Sequence, residues 1–580
     1  MAQIDFNEHF KLPIYYNNSK VKLKDNIIND LELVKTVDPS GTPMYNFLFN
    51  NDNDFSKKLN EQTTQYYTTD TIFLKDNQTL IKNYKSLPYK YRAISENYSK
   101  IIEVWNEIKN DTGFKDKYYY IDWPMWEFLN KSEQFLQFTS IYSLASPIIS
   151  FFIPIIMLII PFFIIRMKGL SLTIDEYIEV LKTIISNHSI GKLFTEFHKV
   201  EFNQKVYILV SAGFYVFSIY QNILTCRKFN NNMTKIHNYF SEINVYLEYT
   251  INSMNNYLKH SGELNSHQDF NNNLKKQMSI LTEFKEKIAT ITPYELSFKK
   301  IFEIGHILKY FYELHTEPHY NDAFLYSFGF NGYIDCLEGL SQGIEERKIN
   351  IVEYIDSKKR NTIKNNYYAA LKDSNPVKNN IKLQKNLIIT GPNASGKTTV
   401  LKSVLINVII SQQFGCGFYD SAKLKPYKHI HCYLNIPDTS GRDSLFQAEA
   451  RRCKEIIDII DENKKEDHLA VFDELYSGTN PDEAVISAVA FMEYLVKNKN
   501  VSCLLTTHFI KVCKKLQKNK NIENFHMEAC KKNNKIEYKY LLLEGISLVK
   551  GGINVLSDMN YPKEIIDNTI KNQENREIEK

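Results

Sequence analysis

The sequence predicts an α/β domain with a parallel-rich sheet at the C-terminus. A mainly α-helical region precedes it, carrying one or two apolar segments fit to span or re-enter a membrane. Three observations lead there. The apolar run Leu387-Ile388-Ile389-Thr390 feeds Gly391-Pro392-Asn393-Ala394-Ser395-Gly396-Lys397-Thr398, and a helical pattern, Val400 to Leu405, follows at once. A second apolar run, Leu469 to Phe472, ends in the acidic pair Asp473-Glu474. Finally, no charge interrupts Leu144 to Ile165, 22 residues and long enough to cross a bilayer.

The strand–loop–helix context gives the glycine-rich octet its meaning. Glycines let the backbone wrap an anion, and successive N–H groups at a helix start face its phosphates. Gly391, Pro392, Asn393, Ala394, Ser395, Gly396, Lys397, Thr398 and Thr399 are therefore the expected nucleotide-binding residues. Lys397 is expected to reach the β- and γ-phosphates of ATP, with Thr398 and Asp473 holding Mg²⁺. Glu474 is the expected base that orients and polarises the attacking water. Val501 to Thr507 reads as a further strand, ending at His508, a candidate contact to the γ-phosphate. Ser444 opens the helix running through Ile456 and Ile460 and offers a second anion site at its N-terminus.

Composition adds boundaries more than chemistry. Hydrophobic residues make up 43% and charged residues 24%, ordinary for a globular chain, and a net charge of +4 neither demands nor excludes nucleic acid. The eight cysteines show no metal-binding spacing and read as reduced, buried thiols. The start of the chain lacks a secretory pattern, so the protein is expected not to be secreted. Residues 1–140 form a mixed region without evident chemistry. Residues 141–226 hold the apolar segments 144–165 and 206–226, and 227–360 is a helical core or lever region. Residues 361–580 form the nucleotide-binding domain.

Within the first apolar segment, prolines recur at 147, 154 and 161. Each deletes a backbone donor, so a kinked span or a re-entrant hairpin stands beside a straight helix as an expectation. A hairpin buried inside a helical domain is the competing reading. Loop charges do not orient the segments. A nucleotide site that must face the cytosol does, making the protein membrane-associated with its ATPase domain on the cytosolic side. Farther on, Met233, Ile236, Tyr239 and Phe240 form one helical face, and Leu274, Met278, Leu281 and Phe284 another. A polar stretch ending near Asn273 reads as the turn between them.

In their order, these elements resemble the MutS family of DNA mismatch-repair ATPases, relatives of the ABC ATPases. Ile389-Thr390-Gly391-Pro392-Asn393 with Gly396-Lys397-Thr398 is similar to its phosphate loop, and Gln413-Phe414-Gly415 to its Gln-x-Gly step. Ser444-Leu445-Phe446 with Glu449 resembles its Ser-x-Phe-x-x-Glu segment, and Thr507-His508-Phe509 its Thr-His-aromatic end. Val377-Lys378-Asn379 falls where the family contacts adenine, which adds Asn379 and Gln413 to the expected nucleotide-binding set. The likeness is strong over about residues 365–575, extends to the helices from 290 to 350, and is absent from the first 230. The whole resembles a membrane-segment-bearing branch such as those of large DNA viruses.

The resemblance implies a homodimer in which Ser444 of one subunit completes the other's ATP site, and double-stranded DNA as a candidate partner beside the membrane. The alternative is a membrane-anchored, ABC-like mechanochemical ATPase with no mismatch recognition. Two departures stand out: Ala394-Ser395 replaces Met-Gly, and Asp443 is inserted beside Ser444. The family's Phe-x-Glu mismatch wedge is matched by Phe6-Asn7-Glu8 and by Phe284-Lys285-Glu286, about as often as chance allows with 36 Phe.

Overall fold

A computed structural model describes residues 5–49, 54–88, 98–109, 112–169, 173–187, 197, 201–295, 297–357, 361–434, 444–532, 535–547, 549 and 561–578. The chain divides into two compact units. The first comprises Met1–Ile4, Pro88–Ile251 and Met278–Phe324; the second comprises Asp5–Leu87, Asn252–Gln277 and Leu325–Lys580. Residues 5–87 thus cluster with the C-terminal portion, a partition that composition does not reveal.

The first unit is helical. Its longest elements are α1 (Glu133–Met167) and α2 (Phe202–Ser261), of which α2 runs on into the second unit. Helix α3 (Ile304–Thr316) packs on α1 at Gly305, where a Cβ would come within 2.5 Å of the Glu133 carbonyl oxygen. The core is aromatic: Phe284 and Phe324 meet edge to face at 5.9 Å between ring centroids, as do Phe240 and Phe311 at 6.0 Å. Met233, Ile236, Leu281 and Phe284 are all buried, as their helical spacing requires. The turn after α2 is tighter than the polar stretch suggests: a helix begins again at Gln268, with Asn271 to Asn273 inside it. Helix α1 continues through all three prolines as one element, and Ile148, Phe151 and Phe163 on it are exposed, which speaks against the buried-hairpin reading.

The second unit holds two larger sheets. Strands β1 (Asn386–Thr390), β2 (His429–Tyr433), β3 (His468–Asp473), β4 (Val501–Thr507), β5 (Ile522–Lys532) and β6 (Lys535–Glu544) form the larger, ordered β6-β5-β1-β4-β3-β2. All neighbours run parallel except the β5–β6 hairpin at one edge. Strands β1 and β4 are buried at every position, as expected of parallel strands covered on both faces. A five-stranded, mostly antiparallel sheet lies earlier in the unit and includes the strands Thr362–Asn366 and Asn379–Lys382.

Helix α4 (Lys397–Phe414) starts at the glycine-rich loop and is apolar around nearly its whole circumference, so it is a core element. Residues from the N-terminal segment close its far end. Gln78 donates to the carbonyls of Gly415 and Val352, and Asn77 donates to that of Gln413. The Asn407 amide, fully buried, donates to Asn366 Oδ1 and to the carbonyls of Tyr367 and Phe418, and accepts from the Phe418 N–H. Asn407→Leu would strand several buried groups at about 1–3 kcal/mol each. Thermal unfolding should show that variant markedly destabilised; an unchanged melting temperature would contradict the role assigned to this amide.

Candidate functional site

Strands β1, β3 and β4 end side by side, with Asp473 in register with Thr506 and Thr390 with Thr507. The loops beyond a parallel sheet's C-terminal edge are where such folds place ligands. Here the edge carries the glycine-rich loop, the acidic pair and His508.

Backbone conformation shapes the loop. Gly396 has φ +91°, left-handed and open to glycine at little cost, while Ala394 adopts φ +61° and bears the strain of a side chain there. A Cβ on Gly391 would come 2.7 Å from Ser395 Oγ, so the loop closes tightly at its start. That Ser395 hydroxyl is buried and has no hydrogen-bond partner. A buried, unsatisfied donor at a helix start is a group an anion would satisfy.

The two carboxylates part company, as neighbours at a strand end do. Asp473 Oδ2 accepts from Thr398 Oγ1 at 2.7 Å, and Oδ1 accepts from the Thr506 hydroxyl. Glu474, at φ +51°, turns toward the bases instead. Its Oε1 lies 3.5 Å from Lys397 Nζ and its Oε2 lies 3.5 Å from His508 Nδ1. The His508 hydrogen bond, with the Lys397 charge in support, holds the Glu474 carboxyl below the usual carboxylate range against partial burial. Lys397, only 6% exposed, also donates to the carbonyls of Gly391 and Pro392 at 3.1 and 3.2 Å.

Lys397, Thr398, Asp473, Glu474 and His508 are thus gathered at one place, together with residues 391–399. A cleft of about 680 Å³ opens beside the loop. One wall carries Tyr367, Tyr368, Leu371 and Val377, and the other carries Met527 and Tyr540. This apolar end suits a flat ring and the polar end suits phosphates, the usual division of a ligand pocket. Sequence reading missed the apolar end, because Tyr540 stands more than 160 residues from Tyr368 and nothing distinguishes either among 38 Tyr. Asn379 lines the cleft, but its amide is engaged: it donates to the Tyr540 carbonyl at 3.0 Å and accepts from the Leu542 N–H at 2.7 Å.

Gln413 requires a correction. It sits one residue from the far end of α4, about 24 Å along the axis from Lys397. Its buried amide donates to the carbonyls of Thr63 and Tyr66 and accepts from the Tyr45 hydroxyl. Those bonds fasten the N-terminal segment to α4, so Gln413 has a structural role and does not line the cleft.

Ser444 stands apart from the cleft. It caps helix α5 (Leu445–Glu462) in a reciprocal box with Gln447 and is exposed. The preceding segment through Asp443 lies outside the described residues. Behind the cap, buried Glu449 accepts from the N–H and hydroxyl of Ser477 and from the Gly478 N–H, tying α5 to the turn that follows Glu474. Phe6 and Phe284 are both buried, Phe6 against Phe55 and Phe284 against Tyr320, so neither is presented as a wedge. Among the described residues, no three His, Cys, Asp or Glu side chains converge on a metal position. A cation at Thr398 and Asp473 would therefore need further oxygens from a ligand.

Comparison with known proteins places these elements. Residues 387–577 match the family model of MutS domain V. The DNA mismatch repair protein MutS of Persephonella marina is 27% identical over 241 residues, 40% of this chain and 27% of that protein. Msh3 of Dictyostelium discoideum, a DNA mismatch repair protein, is 27% identical over 216 residues, 34% of this chain and 15% of its own length. MutS of Listeria welshimeri is 28% identical over 196 residues, 33% and 22% of the two chains. The chain therefore spans between 15% and 27% of the length of these relatives.

Proposed function

We propose, from the premise that the chain carries the MutS family's domain V over residues 387–577, that it binds and hydrolyses ATP. The observation that carries this reading is the convergence of Lys397, Asp473, Glu474 and His508 around a loop whose buried Ser395 hydroxyl lacks a partner. Loop N–H groups and Lys397 bind the phosphates, and the walls bearing Tyr368 and Tyr540 take the base. Thr398 and Asp473 would hold Mg²⁺, which when bound neutralises charge on the phosphate oxygens. Glu474, deprotonated by its surroundings, accepts a proton from the attacking water, and His508 orients Glu474 and faces the γ-phosphate.

Exposed Ser444, which does not line its own cleft, supports a head-to-tail dimer in which it completes the partner's site. Glu449 then links that contact to the turn beyond Glu474. The relatives' names bring DNA as the substrate on which such a cycle acts. Burial of Phe6 and Phe284 favours a second reading, an ATPase that acts without mismatch recognition.

ATP turnover measured with duplex, mismatched and branched DNA across a salt series separates the two. Stimulation, with binding that weakens steeply as salt rises, supports the DNA-acting enzyme. Turnover indifferent to every DNA, with no salt-sensitive binding, removes it and leaves the second reading.

A further inference from the structure

The first unit contains two helices whose surface is inverted relative to a protein bathed in water. Along α1, Ile148, Ile149, Phe151, Phe152 and Ile153 are all exposed, five of six consecutive positions. At 100° per residue they cover about 200° of the helix circumference, leaving the arc around Ser150 to the second helix. Along α2, Phe214, Val216, Phe217, Tyr220 and Ile223 are exposed in the same way. Polar atoms lie between the helices instead. Tyr215 donates its hydroxyl to the Ser150 carbonyl at 3.1 Å, Asn222 donates to Ser150 Oγ, and Cys226 Sγ lies 3.5 Å from the Leu144 carbonyl oxygen.

Two of the hydrogen bonds in this hairpin answer the prolines. Pro147 removes the N–H that would reach the Ser143 carbonyl, and Ser146 Oγ donates there at 3.0 Å. Pro154 likewise deprives the Ser150 carbonyl, and Tyr215 from the other helix supplies the missing donor. Water would satisfy such carbonyls unaided; replacement donors are required where water is excluded.

We propose that the α1–α2 hairpin spans a phospholipid bilayer. The uncharged stretches, 144–165 and 206–226, are each about 32 Å long as helix, against about 30 Å of hydrocarbon. Cations mark both ends: Arg166, Lys168 and Lys205 at one, Arg227 and Lys228 at the other, suited to lipid phosphates. Beside the second pair lies an aromatic girdle. Lys228 Nζ is 5.9 Å from the Tyr119 ring, and Trp123, Trp126 and Phe128, the first of them 65% exposed, follow in the same segment. Interfacial tryptophans of this kind sit at headgroup depth. A second copy of the chain would cover one side of the hairpin, whereas the apolar residues surround it. Spanning twice puts Lys168, the helix Ile174–Asn187 and Lys205 across the bilayer from residues 119–128.

The test uses the full chain in sealed vesicles of phosphatidylcholine and phosphatidylglycerol. In a Cys530→Ser background, Thr183→Cys and Asp116→Cys should react with an impermeant maleimide from opposite faces, and the chain should stay in the pellet after alkaline carbonate. Labelling of both from one face overturns the crossing. Release as a soluble oligomer overturns the bilayer and names a second copy as the cover. Tyr215→Phe should lower recovery in the membrane fraction several-fold while lipid-facing Tyr220→Phe leaves it unchanged; equal effects overturn the interhelical role. Nucleotide binding by the same samples reports separately on the ATP site.

Discussion

Glu474→Gln should keep ATP binding and slow turnover by about 10²–10⁴-fold, the range a positioned general base contributes. The amide preserves the size of the side chain but cannot accept the proton from water, and it loses the charge that faces Lys397 and His508 at 3.5 Å. Single-turnover hydrolysis beside equilibrium binding checks this, because the chemical step should fall while affinity holds. The pH profile gives a second readout. The folded carboxyl is held below its ordinary range, chiefly by its bond to His508, so the base stays ionised above the unperturbed carboxylate pKa of about 4.3. Loss of activity from its protonation belongs below that value. A wild-type profile falling near neutrality, or a Gln variant at full speed, would assign the base elsewhere.

Lys397→Ala should weaken ATP binding by about 10–100-fold, the worth of a hydrogen bond to a charged group at about 1.5–3 kcal/mol. Its ammonium, 6% exposed, is held at the loop by the carbonyls of Gly391 and Pro392 and by Glu474. Titration with a fluorescent ATP analogue measures the change, and a thermal melt of the same variant separates it from unfolding. ATP affinity unchanged in a folded variant would mean that the phosphates lie somewhere else. An ADP comparison sharpens the point, because a lysine reaching the γ-phosphate should cost ATP more than ADP.

Much of this site is legible in the sequence because its parts are local. A strand, a tight turn and a helix start occupy neighbouring positions, so residues 387–405 disclose the loop before any fold is known. The same holds for Asp473 and Glu474, neighbours in the chain where a buried apolar run ends. Residues brought together only by tertiary structure are hidden. Tyr368, in the segment after one strand, and Tyr540, within another, reach one cleft, and no spacing rule connects them. Gln413 shows the opposite failure: a short motif suggested a nucleotide contact, yet helix length alone carries it about 24 Å from the loop. The N-terminal segment failed for a third reason. Its contribution to the second unit includes hydrogen bonds donated by the side-chain amides of Asn77 and Gln78 to α4 and its cap, and scattered Asn and Gln leave no periodic trace.

Glu449 lies between the legible and the hidden. Its place in a Ser-x-Phe-x-x-Glu string was readable, but its three hydrogen bonds to Ser477 and Gly478 were not. Those bonds give the dimer proposal a mechanical path from Ser444 to the turn beyond Glu474.

Subunit mixing tests the central claim most directly. Ser444→Ala removes the contact offered to the partner, and Glu474→Gln removes the base from its own site, so each homodimer should be impaired. A mixed dimer regains one complete site, built from Glu474 of one chain and Ser444 of the other. Equal mixing should then restore about a quarter of wild-type turnover, given random two-fold pairing. Turnover that stays at the average of the two separate variants would mean that each chain hydrolyses ATP alone.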